Sequence, residues 1–237
     1  MAKVKVNLPN VITEDSHFYK EYEDQLKPYL GKMYISYSTV NSFLGDFKSD
    51  CIKSKIIGVR NEGSVYTELG GYVGTAIETG EFPKENPHGF TIDPSFSLES
   101  LRTPGAEYER LIVIDRGDYV VIGFIDKWVQ EEDGVVLDDF KTGSATKIKE
   151  YESPDYVQLV LYGYAEELRG NKVKSINVTF IERDGSHIKP PLNITNKIKR
   201  FPLEYSKERI TFALAKLDKA VEGISSLYTT YQKIFSK

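Results

Sequence analysis

The chain has a single cysteine, Cys51, in 237 residues, so no disulfide can form within it and no zinc or iron–sulfur site can be built from four cysteines. Set near Phe47 and Ile56 on an expected helix, Cys51 reads as a small buried apolar residue rather than a nucleophile. The three histidines, His17, His88 and His187, show no metal-ligand spacing and read as surface or loop residues. No apolar run approaches the roughly 20 residues of a membrane span, and residues 1–30 lack a signal-peptide pattern. A cytoplasmic protein of bacterial or viral origin, with no membrane partner, is the resulting expectation. Excess positive charge is missing too. The formal net charge is −4, which is unusual for a protein with a broadly basic surface. Only Lys147 with Lys149, and Lys197 with Lys199 and Arg200, form local clusters, and each reads equally well as a solvated face.

Internal repeats and low-complexity tracts are absent, and the length suits one large domain over 1–237. Within it, Gly123–Lys141 reads GFIDKWVQEEDGVVLDDFK. Two apolar runs, Tyr119–Val129 and Val135–Phe140, flank the polar, Gly-containing Glu131–Gly134, the signature of an antiparallel hairpin. A turn at Glu132-Asp133 sets Asp126 opposite Asp139; a turn at Asp133-Gly134 sets Asp126 opposite Lys141. Either register places Asp126, Asp139 and Lys141 on one face, because strand side chains alternate. Two carboxylates at cross-strand distance repel unless a cation lies between them, so the pattern asks for a metal. Ile125, Val129, Val136 and Phe140 occupy the other face as core, with Lys127 and Asp138 able to pair there.

The remaining elements follow from caps and periodicity. Ser36 or Ser38 is expected to cap a helix running towards Lys55, and a second helix precedes Glu78. Residues 81–105 carry Pro83, Pro87, Pro94 and Pro104 without periodicity, and read either as disorder or as a functional loop. Glu107–Asp115 reads as a strand turned at Arg116-Gly117, so that Glu107 and Glu109 share the face of Asp126. Ser153-Pro154-Asp155 is expected to start a helix that runs to Leu168 and stops at Gly170, with Val157, Leu161 and Leu168 facing the core. Val173–Ile181 follows as a strand. Gln158 and Tyr162 share another face of that helix. The C-terminal helix, about 206–234, carries a heptad-like stripe of Ile210, Leu214, Leu217, Val221, Ile224, Tyr228 and Tyr231, capped by Ser206. Such a stripe more often packs on its own domain than on a second copy. The fold class expected is α/β, with a mixed sheet flanked by helices, an N-terminal helical part and a long C-terminal helix.

In order along the chain, Gly123/Asp126, Asp139/Lys141 and Gln158/Tyr162 resemble the RecB-type branch of the PD-(D/E)xK nucleases. Gly74–Glu78 is similar to the branch's Gly-x-x-x-His helix, with Glu78 where the histidine would stand. Tyr34–Phe47 resembles its serine-rich opening helix, and Glu109 matches a common glutamate. The motif core spans about 34–182. The resemblance implies a restriction-endonuclease-like core and an Mg²⁺- or Mn²⁺-dependent deoxyribonuclease, exonucleolytic by analogy, acting in recombination, repair or phage DNA processing. It implies DNA as substrate and a helicase or recombination protein as partner; the iron–sulfur cysteines of some members are absent here.

On this resemblance Asp126, Asp139, Glu78 and the Phe140 carbonyl hold one or two ions, and Lys141 orients the attacking water or steadies developing charge. Gln158 and Tyr162 position substrate phosphate or a nearby site residue, and Glu109 supports the site from behind. A nuclease-like domain that binds DNA or protein without chemistry is the alternative, opposed by the complete Asp126, Asp139 and Lys141 set. An α/β scaffold with a chance motif is the third reading.

Overall fold

A computed structural model describes residues 6–45, 48–59, 63–186 and 188–235. Phe47 and His187, both named above, lie outside the described residues. In chain order the elements are β1 (Asn10–Val11), α1 (Glu23–Leu26), β2 (Met33–Ser36), α2 (Tyr37–Leu44), α3 (Lys48–Cys51), α4 (Val65–Thr79), β3 (Thr91–Ile92), β4 (Glu107–Asp115), β5 (Tyr119–Glu131), β6 (Gly134–Gly143), α5 (Ile148–Glu152), α6 (Gln158–Leu168), β7 (Val173–Ser186), β8 (Lys189–Leu203) and α7 (Lys207–Phe235). The fold is α/β, as expected, and its strands are hydrogen-bonded in the order β1-β2-β5-β6-β7-β8-β3 with β4 also paired to β5. No described helix is long and apolar enough to cross a membrane.

The chain divides into two units. The first comprises Met1–Glu62, Leu111–Gly123 and Ile210–Lys237. Here β1 runs antiparallel to β2, and β2 runs parallel to the start of β5, pairing Met33 with Tyr119. Ser36 caps α2, its hydroxyl accepting the Thr39 N–H at 3.3 Å. The expected helix towards Lys55 is interrupted: α2 stops at Gly45, and α3 continues as a π-helical turn over Ile52–Ile57 that Gly58 ends in the left-handed region, φ 79°. Cys51 is buried, and burial pushes its thiol above its usual pKa. On α7 the stripe is buried at its centre, through Leu217, Val221 and Ile224, with Ala213 and Ala220 beside them.

The hairpin turn between β4 and β5 falls at Gly117-Asp118, one residue later than expected, with Arg116 N–H donating to the Tyr119 carbonyl at 2.9 Å. Asp115 accounts for the shift, because its side chain accepts the Gly117 N–H at 2.8 Å while Gly117 adopts φ 83°.

The second unit comprises Gly63–Arg110 and Phe124–Arg209. β6 lies antiparallel to β5 and parallel to β7; β8 is antiparallel to β7 and β3 parallel to β8. The β6–β7 pairing is parallel because α5 and α6 carry the chain back across the sheet between them. One face of α4 supplies Leu69, Val73 and Ile77, spaced four apart, to a core shared with Phe90, Leu101, Ile181, Leu192 and Ile194. Residues 81–105 are thus tied into a core through Phe90 and Leu101. Two departures concern α6. It begins at Gln158 rather than Ser153, since Ser153 caps only an isolated turn, accepting the Asp155 N–H at 3.2 Å. Val157 and Leu161 are buried as expected, but Leu168 is exposed, and Leu159, Val160 and Ala165 join the core instead.

Candidate active site

The register of β5 and β6 decides which side chains meet. Glu131 pairs with Gly134 and Lys127 with Asp138, so the turn is Glu132-Asp133, the first of the two registers expected. The main-chain ladder ends at Lys127–Asp138. One residue beyond it, the Asp126 carboxylate takes over the role of the backbone and accepts the Phe140 N–H at 2.6 Å. Asp126, Asp139 and Lys141 are thereby gathered at the splayed end of the hairpin. On the other face Lys127 pairs with Asp138 at 3.2 Å, and Arg200 adds a second contact to Asp138 at 2.7 Å.

Asp139 has no exposed surface. Lys141 Nζ lies 2.5 Å from its Oδ2, the Tyr156 hydroxyl donates to the same oxygen at 2.8 Å, and Gln158 Nε2 donates to Oδ1 at 3.0 Å. This dense donor set satisfies the oxygens of a carboxylate that water cannot reach. Burial and then the Asp139 charge push the Asp126 carboxyl well above its usual pKa, opposed by Lys141. Burial pushes Lys141 towards neutrality, but Asp139 and Asp126 outweigh it and raise its pKa, so the ammonium stays charged.

The pair expected to touch substrate turns inward. Gln158 uses its two amide hydrogens on Asp139 and on the Tyr162 hydroxyl, the latter at 3.1 Å, while Tyr162 is buried. Gln158 thus contacts Asp139, and Tyr162 contacts Gln158.

Beside this cluster lies a cavity of about 340 Å³ whose wall includes Asp126, Phe140, Lys141, Glu109 and Glu78. Its opposite wall is the glycine face of α4, Gly70, Gly71 and Gly74. A Cβ added at Gly71 or Gly74 would meet nothing within 4 Å, so helix packing does not require glycine there. Glu78 lies in the last turn of α4, exposed. Arg102 donates to the carbonyls of Ile77 and Glu78 at 2.6 and 2.7 Å, fixing that helix end. Next to Arg102, the Leu101 carbonyl accepts the Lys127 ammonium at 3.1 Å, which pins the 81–105 segment to the hairpin. Glu109 has φ 49°, the one positive value at a non-glycine position among the described residues. Glu107 pairs with Arg110, whose guanidinium lies over the Trp128 ring at 4.4 Å.

The donors on the cavity wall are hard oxygens, the chemistry that suits Mg²⁺ or Mn²⁺. Among the described residues, however, no group of three or more His, Cys, Asp and Glu side chains stands close enough to hold an ion. Asp126 and Asp139 form a pair, and Lys141 supplies the positive charge between them. Of the basic clusters, Lys147 pairs with Glu150, Lys197 with Glu182, Lys199 with Glu152 and Arg200 with Asp138. Sequence reasoning missed Tyr156 and Arg102. Tyr156 is one of 16 tyrosines with no local mark beyond its place before Gln158, and Arg102 lies in an aperiodic segment.

No known protein family matches this chain, and no curated protein sequence does. Among solved structures it is similar to a "putative exonuclease" from Eubacterium rectale, with TM-score 0.56 and 12% identity over 93% of this chain and 88% of that one. SSO0001 aligns with TM-score 0.43 and 14% identity over 86% of this chain and 83% of that one, too low a similarity to carry an argument. The likeness to the first is one of fold.

Proposed function

We propose that this chain is a metal-dependent deoxyribonuclease. The observation that carries the reading is the convergence of Asp126, Asp139 and Lys141 at the splayed end of one hairpin, beside a cavity of about 340 Å³. Asp126, Asp139 and the Phe140 carbonyl would hold a divalent ion, with Glu78, on a helix end braced by Arg102 and part of the same cavity wall, as the candidate further ligand. When bound, that ion lowers the pKa of a coordinated water and neutralises charge on the phosphate. Lys141, kept charged by the two carboxylates, points its ammonium into the same corner and can orient water or steady negative charge on a phosphoryl oxygen. Phe140 N–H fixes Asp126, and Gln158 fixes Asp139, so neither carboxylate must reorganise during the reaction. The bare glycine face of α4 lets a bulky polymer backbone approach the carboxylates closely. With Lys147, Lys197, Lys199 and Arg200 of the two basic clusters paired to acids, affinity for the polyanion would come from the site itself rather than from a broad surface. An exonuclease acting in recombination, repair or phage DNA processing, beside a helicase or recombination protein, is the finer form of the same proposal.

The test is cleavage of end-labelled single- and double-stranded linear DNA with Mg²⁺ or Mn²⁺, beside Asp139→Ala and Lys141→Ala. Expected are metal-dependent degradation by the wild type, its loss in both variants and its loss with EDTA; the product ladder reads out polarity. A folded wild type that cleaves neither substrate and binds no metal would overturn the proposal in favour of a non-catalytic nuclease-like domain.

A further inference from the structure

Asp139 is anchored from a direction the proposed chemistry does not use. Its Oδ1 receives Gln158, while its Oδ2 receives both Lys141 and Tyr156. The donors differ in how freely they move. Lys141 lies on a flexible four-carbon stem at the cavity wall. Tyr156 has only two side-chain torsions, and its ring is buried, with an edge-to-face contact to Tyr151 at 5.3 Å between centroids. Its main chain is fixed at both ends: Tyr156 N–H donates to the Ser153 carbonyl at 3.0 Å, and Arg209 donates to the Pro154 carbonyl at 2.7 Å and the Tyr156 carbonyl at 3.5 Å.

The hydroxyl has a single proton and two acceptors within reach, Asp139 Oδ2 at 2.8 Å and Gln158 Oε1 at 3.1 Å. Gln158 cannot turn its amide over to suit Tyr156. Both its N–H groups are already engaged, on Asp139 Oδ1 and on the Tyr162 oxygen. The contact to Asp139 is the shorter, so the proton is assigned to Oδ2, and tyrosine and glutamine then grip one carboxylate oxygen each. Two fixed anchors determine the plane of the carboxylate and leave the remaining lone pair of Oδ2 to Lys141, itself part of the cavity wall.

We propose that Tyr156 is a positioning residue for Asp139, fixing the carboxylate plane through which that residue serves a divalent ion. The inference rests on the nuclease reading and deepens it. Removing the hydroxyl with Tyr156→Phe keeps the ring and its packing but lets the carboxylate rotate about its remaining anchor.

The experiment measures Mn²⁺ binding by calorimetry on the full chain, with cleavage kinetics and metal-free thermal melting alongside. For Tyr156→Phe a loss of Mn²⁺ affinity of about tenfold is expected, at the lower end of what partners of metal ligands contribute. The expected kcat falls by a similar factor with KM for DNA unchanged, and the protein remains folded in EDTA. A folded variant with wild-type Mn²⁺ affinity overturns the inference, whether cleavage is normal or only KM has risen. If the wild type itself neither binds Mn²⁺ nor cleaves DNA, the nuclease reading falls and this inference with it. Binding and cleavage by the wild type with an indifferent variant would overturn the role of Tyr156 alone.

Discussion

Asp126 accepts the main-chain N–H of Phe140 at 2.6 Å, and thereby sits between the two neighbours of Phe140 in the chain, Asp139 and Lys141. The contact replaces the next rung of the β5–β6 ladder, which ends at Lys127–Asp138. A hairpin that parted its strands without this substitution would leave a half-buried N–H unpaired. Here the side chain that the chemistry needs also satisfies the backbone.

For Asp126→Ala the two effects of the carboxylate oppose each other. The lost charge-assisted bond costs about 1.5–3 kcal/mol, while the repulsion from Asp139 disappears with it. A net stability change within about 1 kcal/mol is expected, together with loss of cleavage. Denaturation in EDTA checks this, and a loss above about 3 kcal/mol would mark Asp126 as a structural residue.

Glu166 gives the pH dependence. Its side chain has no exposed surface, and it accepts from Arg110, Arg169, Trp128 Nε1 at 3.0 Å and Asn171 at 2.7 Å. Burial pushes its carboxyl up, but Arg110, Arg169 and Asn171 outweigh burial and leave the pKa below the usual 4.5. A depressed carboxyl stabilises the fold above its unfolded pKa, and that stabilisation is lost as pH falls through the folded one. Glu166→Gln should therefore cost about 2 kcal/mol at pH 7, because the amide turns a donor towards other donors. The difference from wild type should shrink as pH falls below the usual 4.5 and on through the lowered folded pKa, where the native carboxyl protonates. Urea titrations at several pH values read this directly, and a constant difference down to pH 3 would refute it.

Two glycines on helices should respond oppositely to alanine. At Gly163 a Cβ would lie 2.6 Å from the Tyr205 ring, so Gly163→Ala should destabilise by about 1–3 kcal/mol despite the gain in helix propensity. At Gly71 nothing lies within 4 Å, and Gly71→Ala should stabilise by about 0.5–1 kcal/mol. Because Gly71 lines the cavity, that more stable variant should degrade DNA more slowly. Melting curves and the cleavage assay together separate these effects; equal rates would show that the bare helix face is not used.

Arg102→Ala removes both donors from the carbonyls at the end of α4. A cost of about 1 kcal/mol is expected, with a several-fold fall in metal affinity if Glu78 contributes. Arg102→Lys, which can reach one carbonyl, should recover part of each. Unchanged metal affinity in a folded Arg102→Ala protein would remove Glu78 from the ligand set.

Much of the local structure was legible in the chain because it obeys local rules. The β5–β6 hairpin shows its alternation, and the faces holding Asp126, Asp139 and Lys141, or Lys127 and Asp138, follow from period two whichever turn is used. Ser36 and Ser206 announce helix starts, and the stripe from Ile210 to Tyr231 announces α7. Where expectation slipped, a side chain had intervened in the backbone. Asp115 drew the β4–β5 turn one residue on, and Ser153 capped a turn that the following residues did not extend into helix.

What the sequence by itself determined is therefore which acids and which lysine share a face, since strand geometry permits nothing else once the hairpin forms. Only the tertiary structure decided what surrounds them. It selected the register, turned Gln158 and Tyr162 inward onto Asp139, added Tyr156 from a turn, and used Arg102 and Lys127 to bind an aperiodic segment beside the cavity. Those contacts join residues distant in the chain, and burial of Asp139 is the physical reason for most of them. A carboxylate without solvent must find its donors wherever the fold can bring them.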